Sequence, residues 1–239
     1  HISGHPLTTL PNYERILAKH HVFGASLLLQ DGANCALCDT STANPEHLAQ
    51  ENTLYRVASI TKMATALVTL RCIDNGLFAL DSEAASLLPD GEKAPALSGV
   101  TVQHLLCHTS GLRDLPMLDS CLKEGKPYTE LLRQPEIRAC GPGQQLIYSN
   151  FGFGLLGCIL EQQTGLCIEP LFQEMLFRPL HMRATLDAST LNEAEIMPIT
   201  RVLPYRAGQE LRVTALGRHP LQKLNPLCHY GHTAGAMYT

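Results

Sequence analysis

Ser59 and Lys62, in the segment Ser-Ile-Thr-Lys, are a residue pair that could form an activated nucleophile. On a helix, positions i and i+3 lie on one face, about one turn apart. A serine in the first turn lies where backbone N–H groups lack partners within the helix and the helix dipole favours negative charge. A desolvated lysine could accept the serine proton or stabilise the alkoxide by its charge. The pair therefore predicts acyl transfer through serine, although alone it also fits an N-cap serine beside a solvated lysine.

Tyr148 and Asn150 are the second candidate pair, and they follow the turn-forming Gly-Pro-Gly at 141–143. A tyrosine held near Ser59 and Lys62 could relay protons to a leaving group. The amide of Asn150 could hydrogen-bond a substrate amide or the lysine. Taken singly, a loop tyrosine and a helix-capping asparagine explain the same residues, so the functional hypothesis depends on the two pairs meeting.

Three segments, in this order along the chain, resemble the serine β-lactamase-like family of class C β-lactamases, D-alanyl-D-alanine carboxypeptidases and related esterases. They are YRVASITKMATALVTLRCIDNGLFALD around Ser59, LLCHTSGL at 105–112 and PGQQLIYSNFGFGLLGCILEQQTG at 142–165. The resemblance covers residues 50–180 well and the flanks loosely. It implies an α+β fold of the β-lactamase/transpeptidase type, with an antiparallel sheet flanked by helices and a mostly helical insertion.

The resemblance also implies a role for each candidate residue. Ser59 becomes the acylated nucleophile, Lys62 its activating partner, Tyr148 the general base or acid, and Asn150 a contact to the substrate and to the lysine. Whether Lys62 or Tyr148 takes the serine proton stays open, as it does in related enzymes. His108, in the HTSG turn, is interpreted as structural, because a tight turn that ends a helix needs glycine and hydroxyl caps.

The family's third motif, Lys-Thr-Gly or His-x-Gly on a strand that closes the site, has one candidate, His232 to Gly235. This candidate implies a substrate contact by His232. By its distance from Tyr148, however, YGHTAGAMYT is more similar to the family's A-G-x-x-S-T segment, which precedes a later helix. We therefore expect the chain to stop before the closing strand, which would remove half of the oxyanion hole, a loss of roughly 3 kcal/mol.

Two helices are predicted to position these residues. The first begins at Ser59 and ends at Asn75-Gly76. Its apolar residues recur at helical spacing, which predicts an amphipathic helix; they are Met63, Ala66, Leu67, Leu70 and Ile73. The second helix is predicted over Phe151 to Gln163, ended by Thr164-Gly165.

The remaining elements predict the domain organisation. A hairpin of strands is expected at 22–29 and 35–39, with a third strand at 54–57 that leads into the nucleophile helix. A short helix from Thr101 to Cys107 has Thr101 as its N-cap. We predict a sheet domain from 1–77 with about 181–239, and a mostly helical domain over 78–180.

Composition excludes several classes of function. The chain is 45% hydrophobic with a net charge of −4 and scattered basic residues, which argues against a nucleic-acid partner. No apolar run approaches the roughly 20 residues that span a bilayer, so we expect no membrane segment. Oligomeric state is not indicated.

The nine cysteines predict a mostly reduced chain, because their number is odd and several, such as Cys72 and Cys158, lie in apolar segments. Cys35 and Cys38 form a lone C-x-x-C without a second ligand pair, so no metal is expected. No organic cofactor is expected either. Cysteine usage and the absence of a signal-type segment favour a reducing interior, whereas peptidoglycan-directed members of the family act outside the cytoplasmic membrane.

The sequence therefore predicts a serine hydrolase that acts through an acyl-enzyme at Ser59. The substrate, a small molecule or peptide, would be a β-lactam, a D-Ala-D-Ala-type peptide or a small ester, which motifs shared by all three activities do not separate. The alternative is a non-catalytic penicillin-binding or sensor protein of the same fold.

Overall fold

A computed structural model describes residues 13–19, 24–31, 34–41, 52–197, 199–202, 213–217 and 229–239. The chain divides into two compact units. One comprises His1–Tyr55 with Leu191–Leu221, and the other comprises Arg56–Thr190 with Gln222–Thr239.

The described part of the first unit contains a helix and two antiparallel strand pairs. They are α1 (Tyr13–Lys19), β1 (Gly24–Asp31), β2 (Asn34–Ser41), β3 (Ile199–Val202) and β4 (Val213–Gly217). β1 and β2 pair from Gly24↔Ser41 to Asp31↔Asn34, which confirms the predicted hairpin. β3 pairs with β4, with a register shift between Arg201 and Val202.

The third predicted strand, at 54–57, is wrong as a continuous strand. Leu54 forms a single parallel bridge to Ile196, and Arg56 forms a single antiparallel bridge to Tyr238. The extended conformation ends at Val57, whose φ of −94° and ψ of 7° turn the chain into the nucleophile segment.

The second unit is built mainly from helices. The α-helices are α2 (Thr61–Asp74), α3 (Ala84–Leu87), α4 (Val102–Leu106), α5 (Leu118–Lys123), α6 (Tyr128–Leu132), α7 (Asn150–Thr164), α8 (Ile168–Phe172) and α9 (His232–Gly235). Short 3-10 turns lie at Ala58–Ile60, Gly91–Lys93, Pro95–Leu97, Pro135–Ile137, Ala188–Thr190 and His229–Gly231, and one π-helical turn at Gln173–Phe177 follows α8. Thr101 caps α4 by accepting from the backbone N–H of His104, as predicted.

Helix α7 lies at the centre of this unit. Its first eleven residues are almost all buried, because the segment is apolar on every side and is interrupted only by small glycines. Ser149 caps the first turn by accepting from the N–H of Gly152 at 2.9 Å. Gly165, at a φ of 68°, supplies the left-handed residue that ends the helix. The predicted helix and its stop are confirmed.

Helix α2 is also present, but its predicted apolar stripe is not its buried face. Met63, Leu67 and Leu70 are 67%, 51% and 42% exposed. The buried face carries Thr61, Lys62, Ala64, Thr65, Val68, Thr69 and Cys72. Threonines are tolerated there because their hydroxyls donate to carbonyls, as Thr69 does to the Thr65 oxygen at 2.8 Å.

The two units divide the chain differently from the predicted domains, which stay a prediction. Helix α2 falls within 1–77 and α9 within 181–239, yet both pack on α7 in the helical unit. Thr65 joins them directly, since its hydroxyl donates to the Thr233 carbonyl at 2.7 Å.

The described helices are short compared with the thickness of a bilayer, or too polar, when each is taken singly. No single helix among them is long and apolar enough to cross a bilayer, and α7 with the segment that follows passes only as a pair bent by 85°.

Candidate active site

Ser59 lies in the 3-10 turn Ala58–Ile60, immediately before α2, and it is exposed. The preceding Ala58 has a φ of 46°, in the left-handed region that costs a residue with a side chain roughly 1–3 kcal/mol. Thr61 holds this turn, because its hydroxyl donates to the Ala58 carbonyl at 2.6 Å and accepts from the Met237 N–H at 3.1 Å. A strained conformation of this kind is typical of a functional turn.

Lys62 is only 7% exposed, and its ammonium group has three acceptors. Its Nζ donates to the Ala234 carbonyl at 2.7 Å, to Asn150 Oδ1 at 2.8 Å and to Ser59 Oγ at 3.2 Å. An ammonium group carries three protons and no lone pair. A lysine in its charged form can therefore serve all three acceptors, Ser59 Oγ among them.

Tyr148 is the other group beside the nucleophile, with its Oη 2.8 Å from Ser59 Oγ. Lys62 Nζ lies 4.8 Å from the centre of its ring. Partial burial acts to raise the pKa of Tyr148, but hydrogen bonds with Lys62 and Ser59 and the lysine charge outweigh it. The net result is a Tyr148 pKa below its usual value, which favours the phenolate.

The imidazole of His108 packs against the ring of Tyr148. Its imidazole centre lies 4.4 Å from the Tyr148 ring and 4.9 Å from the Phe153 ring, and its Nδ1 accepts from the Ser149 N–H at 3.2 Å. Desolvation by burial, followed by the charge of Lys62, lowers the pKa of His108 and keeps the imidazole neutral near pH 7.

Asn150 opens α7, and Asp114 holds it. The Asn150 Nδ2 donates to Asp114 Oδ2 at 2.7 Å, while its Oδ1 accepts from Lys62. The Asp114 carboxylate also accepts from the backbone N–H groups of Asn150 and Phe151, at 3.1 and 2.9 Å, and from Ser149 Oγ at 3.2 Å. Asp114 was not predicted. The only signal for it in the sequence is its place, because it is an acidic residue four positions after Ser110 of the HTSG turn.

The segment that contains His232 is the helix α9, not a strand, so it does not form the closing strand of the third motif. His232 itself is 8% exposed, and its predicted substrate contact stays a prediction. The part of α9 that reaches Lys62 is the carbonyl of Ala234, a backbone atom that no side-chain motif could indicate.

Close packing on α7 fixes α9 in this position. A Cβ at Gly157 would lie 2.6 Å from the Thr233 hydroxyl, and a Cβ at Gly154 would lie 1.9 Å from the Tyr230 carbonyl oxygen. Thr233 in turn donates to the Phe153 carbonyl at 2.9 Å. The glycines of α7 therefore allow the approach that brings Ala234 to Lys62.

In the part of the chain that the structure describes, no group of three or more His, Cys, Asp or Glu residues could hold a metal ion. The side chains of Cys35 and Cys38, in β2, lie outside the described residues. The structure thus brings Ser59, Lys62, Tyr148 and Asn150 together within hydrogen-bonding distance.

Comparison with known proteins gives the class of this chain. Residues 12–223 match the model of the Beta-lactamase family. The chain therefore belongs to the beta-lactamase family, as the three sequence segments had indicated.

Two curated relatives illustrate the range of the family. The chain is 29% identical over 192 residues to acyltransferase mokF of Monascus pilosus, a match that covers 70% of this chain and 45% of that protein. It is 28% identical over 225 residues to penicillin-binding protein 4 of Amycolatopsis lactamdurans, which covers 84% of this chain and 58% of that protein. The chain thus spans about half the length of these relatives.

Solved structures confirm the β-lactamase/transpeptidase-like fold. The octameric penicillin-binding protein homologue from Pyrococcus abyssi superposes with a TM-score of 0.75 at 20% sequence identity. The match covers 98% of this chain and 54% of that one. At this identity the likeness concerns the fold alone.

Proposed function

We propose that this chain belongs to a serine hydrolase or acyltransferase, and that it supplies the serine, Ser59, on which the acyl-enzyme forms. The observation that supports it most is the convergence on one hydroxyl: Tyr148 Oη lies 2.8 Å and Lys62 Nζ 3.2 Å from Ser59 Oγ. A nucleophile with a base in hydrogen-bond reach, held by a third group, is the usual arrangement for covalent catalysis.

In the proposed acylation step, the Tyr148 phenolate takes the Ser59 proton. In this step Lys62 acts in its charged form, which has no lone pair for the proton and whose charge stabilises the phenolate. Ser59 Oγ then attacks the substrate carbonyl carbon, and the backbone N–H of Ser59 is one donor to the resulting oxyanion.

Collapse of the tetrahedral intermediate breaks the bond to the leaving amine or alcohol. The Tyr148 hydroxyl, protonated in the first step, returns its proton to that group. The incoming water or acceptor alcohol would then lose its proton to Tyr148 and attack the acyl carbon. As the bond between the acyl carbon and Ser59 Oγ breaks, Tyr148 returns that proton to Ser59 Oγ, which releases the product and restores both the Ser59 hydroxyl and the Tyr148 phenolate.

The proposed substrates are a β-lactam, a D-Ala-D-Ala-type peptide or a small ester. Asn150 would contact the substrate through the second N–H of Nδ2 or the second lone pair of Oδ1, because Asp114 and Lys62 each use one of the two. Transfer to an acceptor other than water is a second candidate activity, and the relationship to an acyltransferase favours it. A penicillin-binding or sensor protein would share the acylation step and lack turnover.

Covalent labelling tests the proposal. A fluorescent penicillin or a fluorophosphonate should label the wild-type chain once, and Ser59→Ala should abolish labelling. Ser189→Ala is a control, because this exposed serine bonds only Asp187 among the contacts described. Stoichiometric labelling that survives Ser59→Ala would refute the assignment. Turnover of nitrocefin or p-nitrophenyl acetate then separates the enzyme from the sensor.

A further inference from the structure

Asp114 accepts four hydrogen bonds at the start of α7, yet among the described contacts it makes no hydrogen bond to Ser59 or Tyr148. Its Oδ2 accepts from the Asn150 backbone N–H and from Asn150 Nδ2, at 3.1 and 2.7 Å. Its Oδ1 accepts from the Phe151 N–H and from Ser149 Oγ, at 2.9 and 3.2 Å. A carboxylate has lone pairs for all four donors, which an amide does not.

The chemistry of these partners determines which way the Asn150 amide faces. An ionised carboxylate only accepts hydrogen bonds, so the NH2 group of Asn150 must point towards Asp114. A lysine ammonium only donates, so the oxygen of Asn150 must point towards Lys62. The two neighbours impose the same orientation from opposite sides, at 2.7 and 2.8 Å.

We propose that Asp114 is a positioning residue that fixes the Asn150 amide with its oxygen towards Lys62. The oxygen in turn keeps the Lys62 ammonium within hydrogen-bond distance of Ser59. This inference rests on the proposed function, in which Lys62 supports the reacting Ser59 and Tyr148. If the amide turned over, it would present NH2 to the ammonium, and two donors would face each other. Lys62 would then lose one of its three acceptors and its fixed distance to Ser59.

The variant Asp114→Asn tests the orientation with almost no change of shape. Replacing one carboxylate oxygen by NH2 leaves one acceptor oxygen for donors that had two, and the new NH2 faces either the donors of Asn150 or the N–H of Phe151, so the Asn150 amide is no longer held in one orientation. We expect the acylation rate constant to fall about 10- to 100-fold, as misplacement of a catalytic group does, with a smaller change in KM.

Glu169→Gln is the matched control. Glu169 is also partly exposed, and its carboxylate accepts from the Leu186 N–H, the Thr185 hydroxyl and the Gln173 amide, at 2.7, 2.9 and 2.8 Å. The same loss of charge and hydrogen bonds occurs there without contact to the candidate site. Glu169→Gln should lower the melting temperature but leave the acylation rate within about threefold of wild type, since it moves no reacting group.

An exchanged double variant separates positioning from helix capping. When Asp114→Asn is combined with Asn150→Asp, the amide at position 114 can donate to the carboxylate at position 150, which still offers an oxygen to Lys62. The exchange adds no acceptor for the N–H of Phe151, so a capping role alone predicts no recovery. We expect the double variant to recover about tenfold of the lost acylation rate, a coupling that only interacting residues show.

Hydrogen exchange of the Asn150 side-chain amide, followed by NMR, does not depend on activity. We expect slow exchange in wild type and in Glu169→Gln, and fast exchange in Asp114→Asn. If wild type is never acylated while this pattern holds, the proposed function is wrong and the positioning role stands. Two results would overturn the inference. One is a hydrogen-exchange rate of the Asn150 amide that is the same in Asp114→Asn as in wild type. The other is an acylation rate that is no higher in the double variant than in Asp114→Asn.

Discussion

At the residue scale, the candidate site depends on how many protons each side chain can give or take. An ammonium group has three protons, and Lys62 Nζ lies within hydrogen-bond distance of three acceptors, Ser59 Oγ among them. Tyr148 lies closer to Ser59 Oγ, at 2.8 Å against 3.2 Å for Lys62, and has a lowered pKa. The sequence left open which of the two accepts the serine proton, and the proposed mechanism assigns that role to Tyr148.

Removing the phenol tests this assignment. In Tyr148→Phe, acylation should slow by about 10²- to 10⁴-fold, the usual contribution of a general base. The fold should persist, because the ring that contacts His108 remains. Rates of covalent labelling, with melting temperatures as a control, measure the effect. Labelling of this variant at the wild-type rate would exclude Tyr148 as the base.

The pH dependence of acylation follows from the same interaction. In the proposed mechanism acylation requires the phenolate, so its rate should rise with pH through the pKa of Tyr148. That pKa lies below the usual value of about 10, because Lys62 and Ser59 stabilise the phenolate against the opposing effect of burial.

Lys62→Met should therefore raise the pKa of Tyr148 and move the rising limb to higher pH. The pKa can be followed by NMR of tyrosine labelled with ¹³C at Cζ, with Tyr148→Phe to assign the signal. Lys93→Met is the control, because Lys93 is exposed and pairs with Asp90. A Tyr148 pKa that does not respond to Lys62→Met would contradict the electrostatic part of the mechanism.

At the element scale, the site is formed where α2, α7 and α9 meet. Thr65 donates from α2 to the Thr233 carbonyl, and Thr233 donates to the Phe153 carbonyl of α7. Glycines of α7 leave the space for this packing, as Gly154 does for the Tyr230 carbonyl.

Two glycine-to-alanine substitutions on α7 should distinguish the effect of close packing on the free energy of unfolding from the effect of helix propensity. Gly154→Ala places a Cβ 1.9 Å from the Tyr230 carbonyl oxygen, whereas Gly152→Ala meets only ordinary contacts at 3.5 Å or more. We expect Gly154→Ala to lower the free energy of unfolding by about 1–3 kcal/mol or more through overpacking. Gly152→Ala should be neutral or stabilising by up to about 1 kcal/mol.

Chemical denaturation measures both changes. Equal stability of the two variants would show that α7 and the segment around Tyr230 do not pack as closely as described.

The sequence predicted α7 completely and α2 only in part, for a physical reason. Helix α7 is apolar on every side, so its burial can be predicted without knowing which face packs against the rest of the unit. In α2 the buried face carries threonines, whose hydroxyls are satisfied by carbonyls of the same helix and of Thr233. The partner at Thr233 lies 168 residues away, so periodicity pointed to Met63, Leu67 and Leu70 instead.

The same distinction applies to the site. Ser59, Lys62, Tyr148 and Asn150 lie in motifs with fixed local spacing, so the sequence identified them as candidates. Asp114 and the Ala234 carbonyl act through contacts that span 36 and 172 residues, to Asn150 and to Lys62. Only the folded chain reveals such partners.

At the scale of the whole molecule, cysteine reactivity reports the packing of the helical unit. Cys72 and Cys121 are buried, whereas Cys107 and Cys167 are exposed. Burial raises the pKa of Cys72 to about 11, so its reactive thiolate is scarce at pH 8.

Native alkylation with iodoacetamide at pH 8 should therefore modify Cys107 and Cys167 first. Cys72 and Cys121 should react only after unfolding in denaturant. Peptide mass spectrometry gives the order. Rapid modification of Cys72 in the folded chain would show that α2 is not packed as described.

The central claim is that an acyl group is transferred to Ser59, and mapping that group tests it most directly. Trypsin cleaves after Arg56 and Lys62, which isolates Ser59 in the peptide VASITK. After reaction with a penicillin or a fluorophosphonate, the account predicts the adduct on this peptide, and fragment ions should place it on Ser59. An adduct on Thr61, or on any other peptide while VASITK stays unmodified, would contradict the account.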